Sequence, residues 1–151
     1  MVESSINPVI KYDSGRNILM KEWLLNGYRH REEGPAFILY QNNSIIKEQY
    51  YINGEMHREE GPAKIEYENG KIKSEEYYLW RSKHRLGGPA KIFYDDGIKL
   101  LEEWYMNNQL HRNDGPARIE YYNSGKIKSE EWYTWGQKYR KTIKYIDIKI
   151  E

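Results

Sequence analysis

Four histidines offer the most chemistry in this sequence. His30, His57, His84 and His111 are each followed by an arginine (Arg31, Arg58, Arg85 and Arg112), and three of them stand three residues before a carboxylate, Glu33, Glu60 or Asp114. Imidazole beside a carboxylate suits metal ligation or general acid–base work. Adjacent carboxylates at Glu75-Glu76, Glu102-Glu103 and Glu130-Glu131 invite a second reading, the paired-acid mechanism of glycoside hydrolysis. The chain has no Cys, so thiolate zinc sites, thiol nucleophiles and disulfides are excluded. It also lacks a phosphate loop, a dinucleotide fingerprint and a nucleophile elbow.

The elements that position these residues are set by a repeat. His-Arg recurs every 27 residues, and so does Gly-Pro-Ala, which begins at Gly34-Pro35, Gly61-Pro62, Gly88-Pro89 and Gly115-Pro116. Every His and every Ala of the chain lies in this motif. After it, Ala63, Ile65 and Tyr67 alternate with Lys64 and Glu66, a period of two that predicts a strand with one apolar face. Turn residues such as Asn69-Gly70 and Asp96-Gly97 follow, then a second strand from Lys71 to Tyr78 and its equivalents, closed by Asn-Gly steps such as Asn53-Gly54. One hairpin per repeat is therefore expected. Hairpins this short must stack to be stable, so the fold class is all-β: stacked β-hairpin repeats in an elongated single-sheet or solenoid-like rod of about 50 Å. One extra residue near Tyr122 lengthens the last interval, and Tyr139-Arg140 is a degenerate fifth copy.

This geometry argues against the catalytic readings. Equivalent residues of stacked hairpins lie about 10 Å apart, whereas ligands of one zinc stand about 2 Å from it, so two repeats cannot share a metal. Adjacent strand residues point to opposite faces, so the two members of a Glu pair cannot serve one substrate, and cross-strand ion pairs with Lys or Arg are expected instead. No catalytic residue, metal or cofactor is expected. Each His and Arg should anchor a turn, the ring on a neighbouring aromatic and the guanidinium on carbonyls or a Glu.

Binding is the remaining class. With 24 basic and 23 acidic residues the net charge is +1, which gives no long-range attraction for nucleic acid. Most of the 15 Tyr and 5 Trp must be core, because aliphatic residues are few. Trp80 and Trp135 differ: they occupy the turn column held elsewhere by Asn26, Asn53 and Asn107, and are candidate surface anchors. Phe37, Leu39 and Phe93 are apolar where other copies carry Lys, Arg or Glu, and form either a partner patch or a surface beneath the segment from Val2 to Ile10.

The stretch from Trp104 to Ala117, Trp-Tyr-x-Asn-Asn-x-x-His-Arg-x-x-Gly-Pro-Ala, resembles the MORN (membrane occupation and recognition nexus) repeat. It is specifically similar to the divergent MORN-like repeats of bacterial antitoxin-like proteins and of large DNA viruses. The similarity covers roughly residues 12–142. The usual unit is shorter and has a second Gly where this chain has Arg31, Arg58, Arg85 and Arg112. The resemblance implies a scaffold or protein-interaction role, with lipid contact proposed for some members. The expectation is one domain over 1–151, with a degenerate cap at 1–22, repeats at about 23–142 and a capping strand at 143–151. The expected function is that of an intracellular, non-catalytic interaction or scaffold module with a protein partner. Glycan or lipid-headgroup binding and antitoxin-like neutralisation of a partner are the alternatives. Open strand edges at the ends also admit an end-to-end homodimer.

Overall fold

In the computed structural model, which describes residues 7–147, the segment after each Gly-Pro-Ala becomes a strand. These are Phe37–Gln41, Lys64–Glu68, Lys91–Asp95 and Arg118–Tyr121. Each returns through a turn into an antiparallel partner, Ser44–Gln49, Lys71–Glu76, Ile98–Glu103 or Ile127–Glu131. The turns are set by residues that tolerate positive φ: Asn69 and Gly70 have φ of 51° and 75°, Asp96 and Gly97 of 48° and 84°. The extra residue of the last repeat is absorbed in a longer turn closed by the Tyr122 N–H on the Lys126 carbonyl. Each long hairpin shifts register once, between Ile72 and Ser74 for example.

These strands pair in chain order into one open 11-stranded antiparallel sheet. Val9–Tyr12 and Ile18–Glu22 form one edge and Ile143–Lys144 the other. No helix among the described residues is long and apolar enough to cross a membrane.

Each repeat contains a second hairpin that the sequence reading merged with the first. Tyr51–Ile52 pairs with Glu55–Met56, Tyr78–Leu79 with Ser82–Lys83, and Tyr105–Met106 with Gln109–Leu110. The cause is backbone satisfaction. The next long strand starts only after Pro62, which has no N–H, so the chain between Tyr50 and Gly61 must satisfy its own donors away from the sheet. The Tyr50 N–H reaches the Ala63 carbonyl (2.8 Å) and the His57 N–H returns to the Tyr50 carbonyl (3.1 Å), closing the excursion. Successive short hairpins are bonded through their turns, as from the Arg81 N–H to the Met56 carbonyl (2.9 Å). A ribbon of short hairpins thus accompanies the sheet.

The core is thin and strictly columnar. Ala36, Ala63, Ala90 and Ala117 are fully buried, and Ile38, Ile65, Ile92 and Ile119 nearly so. On the isoleucine face a cross-strand row alternates Ile and Glu, with Ile65 between Glu48 and Glu75 and Ile92 between Glu75 and Glu102. The opposite face carries Lys64, Glu76, Lys91, Glu103 and Arg118 in one row.

Of the strand expected over 143–151, the described residues, which end at 147, form only Ile143–Lys144. Ile143 joins the Ile/Glu row opposite Glu130. Ile146, three residues on and of opposite parity, is 86% exposed rather than packed on the last hairpin. Ile148 and Ile150 lie outside the described residues, as does most of the segment from Val2 to Ile10.

Candidate functional site

The His-Arg-x-x-Gly-Pro-Ala loop is built around a flat guanidinium. Arg58 lies 3.9 Å over the Tyr50 ring, Arg31 4.0 Å over Trp23, Arg85 3.8 Å over Tyr77 and Arg112 4.2 Å over Trp104. Each also donates from Nη1 to the carbonyl of the loop's own proline, Pro62 at 3.1 Å for Arg58. Glycine is required beneath it. A Cβ on Gly61 would stand 3.1 Å from the Arg58 guanidinium carbon, and Gly34, Gly88 and Gly115 have the same neighbour. The degenerate copy retains the stack, with Arg140 4.4 Å over Trp132.

The histidines tie each repeat to the next. His30 Nδ1 accepts the Asn53 N–H (3.1 Å), His57 Nδ1 the Trp80 N–H and His111 Nδ1 the Trp135 N–H (both 3.3 Å). His84 departs from this, its Nδ1 being buried without a partner. The next turn uses the Asn108 side chain instead, which accepts the Lys83 N–H at 2.7 Å. Among the described residues no group of three or more His, Asp or Glu comes together to hold a metal.

The carboxylate pairs do face opposite ways. Glu76 is buried between Lys83 (2.7 Å) and Lys64 (3.1 Å) and accepts the Tyr78 hydroxyl. Burial alone would raise its carboxyl pKa, but the Lys83 and Lys64 contacts and the Tyr78 hydrogen bond override that and hold it at about 2. Glu75 instead accepts the Tyr94 hydroxyl (3.0 Å), as Glu48 accepts Tyr67 and Glu102 accepts Tyr121 (both 2.6 Å). Burial first, and then the bonded carboxylate, push these three phenols well above their usual pKa. The expectation of Lys or Arg partners holds for Glu76, Glu103 and Glu131, whereas on the other face tyrosine hydroxyls serve Glu48 and Glu75. A constant Glu-to-Tyr offset of 19 residues was the available signal.

The surface candidates do not form one patch. Phe37 is buried, with the Arg29 guanidinium 4.0 Å over its ring, so a first short hairpin, Leu24–Leu25 paired with Tyr28–Arg29, covers it and it belongs to no exposed surface. Leu39 and Phe93 share a face, but Lys47, Glu66 and Ser74 stand between them in the cross-strand row. Trp80 and Trp135 are 57% and 50% exposed, and each turns one ring face onto a histidine, at 3.9 Å over His57 and 4.3 Å over His111.

What the structure adds is a series of grooves between successive loops. One of about 640 Å³ lies between the first and second, lined by Glu32, Tyr50, Ile52, Glu59, Glu60 and Trp80. Two more, of about 310 and 380 Å³, repeat the arrangement over Tyr77 with Leu79 and over Trp104 with Met106. Sequence reading missed them because they exist only once the short hairpin is recognised as an element beside the loop.

No curated protein and no solved structure matches the chain. Residues 59–79, which hold one long hairpin and the start of its short partner, and residues 117–134 of the last repeat match the family model of the MORN repeat variant.

Proposed function

We propose that the chain is a non-catalytic protein-interaction module of the His-Arg-x-x-Gly-Pro-Ala MORN-like type, which takes a protein partner along its loop side. One observation carries this reading. The motif's His, Arg, Gly and Pro are consumed internally, while the two positions between Arg and Gly stay exposed in every copy and change along the array, from Glu-Glu in the first two copies (Glu32-Glu33 and Glu59-Glu60) to Leu86-Gly87 and Asn113-Asp114. Apart from Asp114, which accepts from Arg112 Nε at 2.9 Å, and Glu59, 4.0 Å from His57 Nε2, these side chains have no ion-pair partner among the described residues, so they are available to a partner. Antitoxin-like neutralisation is one form this activity takes if the partner is an enzyme.

A glycan or lipid-headgroup ligand is favoured by the exposed indoles of Trp80 and Trp135. Each offers only one ring face, the other resting on its histidine. Site-specific photocrosslinking separates the readings. A benzophenone side chain at Glu59 or Asn113 should capture a discrete protein from the native source, and one at Asp95, in the far turn, should not. Capture of no protein from any of the three positions would overturn the module reading.

A further inference from the structure

The three grooves form one trough. Arg58 and Glu59 line both the first and the second, and Arg85 and Leu86 line both the second and the third. Its floor repeats an aromatic and an apolar residue per unit, Tyr50 with Ile52, Tyr77 with Leu79 and Trp104 with Met106. Its walls change along the length. Glu32, Glu59 and Glu60 border the first groove, and Leu86, 76% exposed, separates the second from the third.

Resting on the interaction-module reading, we propose that this trough binds one extended basic segment of the partner protein. Two strands per repeat advance the loops by about 9.6 Å, and a segment in the extended polyproline II conformation has three residues per turn and advances about 3.1 Å per residue, so every third side chain points to the same face and meets an equivalent loop. Charge sets the identity of those residues. Glu32, Glu33 and Glu60 form no ion pair among the described residues, and Glu59, 83% exposed, approaches only His57 Nε2 at 4.0 Å. Arg31 and Arg58 in the same walls keep their full charge on their rings and proline carbonyls, but these two cations stand against the four carboxylates of Glu32, Glu33, Glu59 and Glu60, which leaves the first two loops net negative. The segment therefore presents Lys or Arg to the first two loops and a large apolar side chain to Leu86. That places cations three residues apart and the apolar residue three further along, in one chain direction or the other. The Trp80 indole at the lip of the first groove supplies a face for the cation and its stem.

The test uses fluorescein-labelled nonapeptides and the full chain, read by anisotropy. Two peptides carry Arg, Arg and Leu at positions 2, 5 and 8 in opposite orders on an Ala/Ser/Gly background. A third has the same composition with adjacent arginines, and a fourth replaces Arg with Glu. One of the spaced peptides should bind at least about tenfold tighter than the adjacent-arginine control. The Glu59→Gln/Glu60→Gln protein should lose at least about tenfold of that affinity, and Leu86→Ser a smaller part. Glu68→Gln at the far turn should leave it unchanged. No binding by either spaced peptide at about 1 mM, equal binding by the controls, or indifference to the Glu59/Glu60 substitutions would overturn the proposal. If a protein is still crosslinked from position 113 in the Glu59→Gln/Glu60→Gln background while the peptides fail, the module reading stands and the trough assignment falls.

Discussion

The imidazole of His57 and the indole of Trp80 are stacked at 3.9 Å and 11° although Trp80 holds φ at 46°, a conformation that bulky residues avoid. In three other copies asparagines occupy this position, with φ of 51° at Asn26, 49° at Asn53 and 48° at Asn107, and only Trp135, at 49°, repeats the indole. Stacking and backbone preference thus oppose one another at Trp80. The junction itself depends on the N–H donated to His57 Nδ1, which any residue but proline supplies.

Trp80→Asn is therefore expected to change stability by no more than about 1 kcal/mol, because relief at the backbone offsets the lost ring contact. His57→Ala should cost about 1–2 kcal/mol, since it removes the acceptor as well as the stack. His84→Ala should cost less than His57→Ala, because its Nδ1 has no partner to lose. Urea titrations of the three variants decide it. A larger loss for Trp80→Asn than for His57→Ala would make the indole the element that holds the junction.

Three glycines separate two reasons for being glycine. Gly70 has φ of 75° and open space around a prospective Cβ; Gly88 meets the Arg85 guanidinium at 3.1 Å without a positive φ; Gly61 combines φ of 103° with the same contact. Substitution by Ala should cost about 1 kcal/mol at Gly70, a similar amount at Gly88 through displacement of the guanidinium from Tyr77, and roughly the sum at Gly61. Equal losses at Gly61 and Gly70 would mean that the arginine moves aside freely.

The columns were legible in the sequence because a period of two within each strand and a fixed repeat between strands leave few registers open. The alternation of Ile65 with Lys64 and Glu66 and the turn at Asn69-Gly70 correspond directly to the strand Lys64–Glu68 and its return. The short hairpin was not legible. Alignment with Asn26, Asn53 and Asn107 places Trp80 in a turn, but Tyr78–Leu79 and Ser82–Lys83 on either side are too short to show the periodicity of a separate hairpin. The site suffered for the same reason: Phe37 reads as a surface residue until Arg29, on the first short hairpin, is known to lie over it.

Acid should weaken the sheet through Glu76. With its folded pKa depressed to about 2, this carboxylate stabilises the fold fully above the unfolded carboxyl range, and the contribution is lost as pH falls from about 5 through about 2. Glu76→Gln should lower stability at pH 7 by about 3 kcal/mol, leaving Lys64 and Lys83 without their shared acceptor. Between pH 5 and 2 the difference from the unsubstituted chain should shrink. Thermal melts across that range would contradict the assignment if the two curves ran parallel.

Deleting residues 61–87 should leave a shorter folded β-protein, whereas deleting 14 residues from the same interval should not. The longer deletion joins Glu60 to Gly88, and both ends of the new junction are already at equivalent positions of the motif. Pro89 then stands where Pro62 stood, Arg58 meets Gly88 in place of Gly61, and Glu48 faces Ile92 in place of Ile65, so the bonds and rows of a junction are all restored. The shorter deletion brings a short-hairpin or turn segment against the sheet, where it has neither the alternation nor the donors to pair, and every later side chain meets the wrong column. Because each repeat touches chiefly its neighbours, the 27-residue deletion should lower the melting temperature modestly and keep a single cooperative transition. Circular dichroism and thermal melts of both chains provide the measurement, and an equal loss of cooperativity in the two would show that the sheet is not held together repeat by repeat.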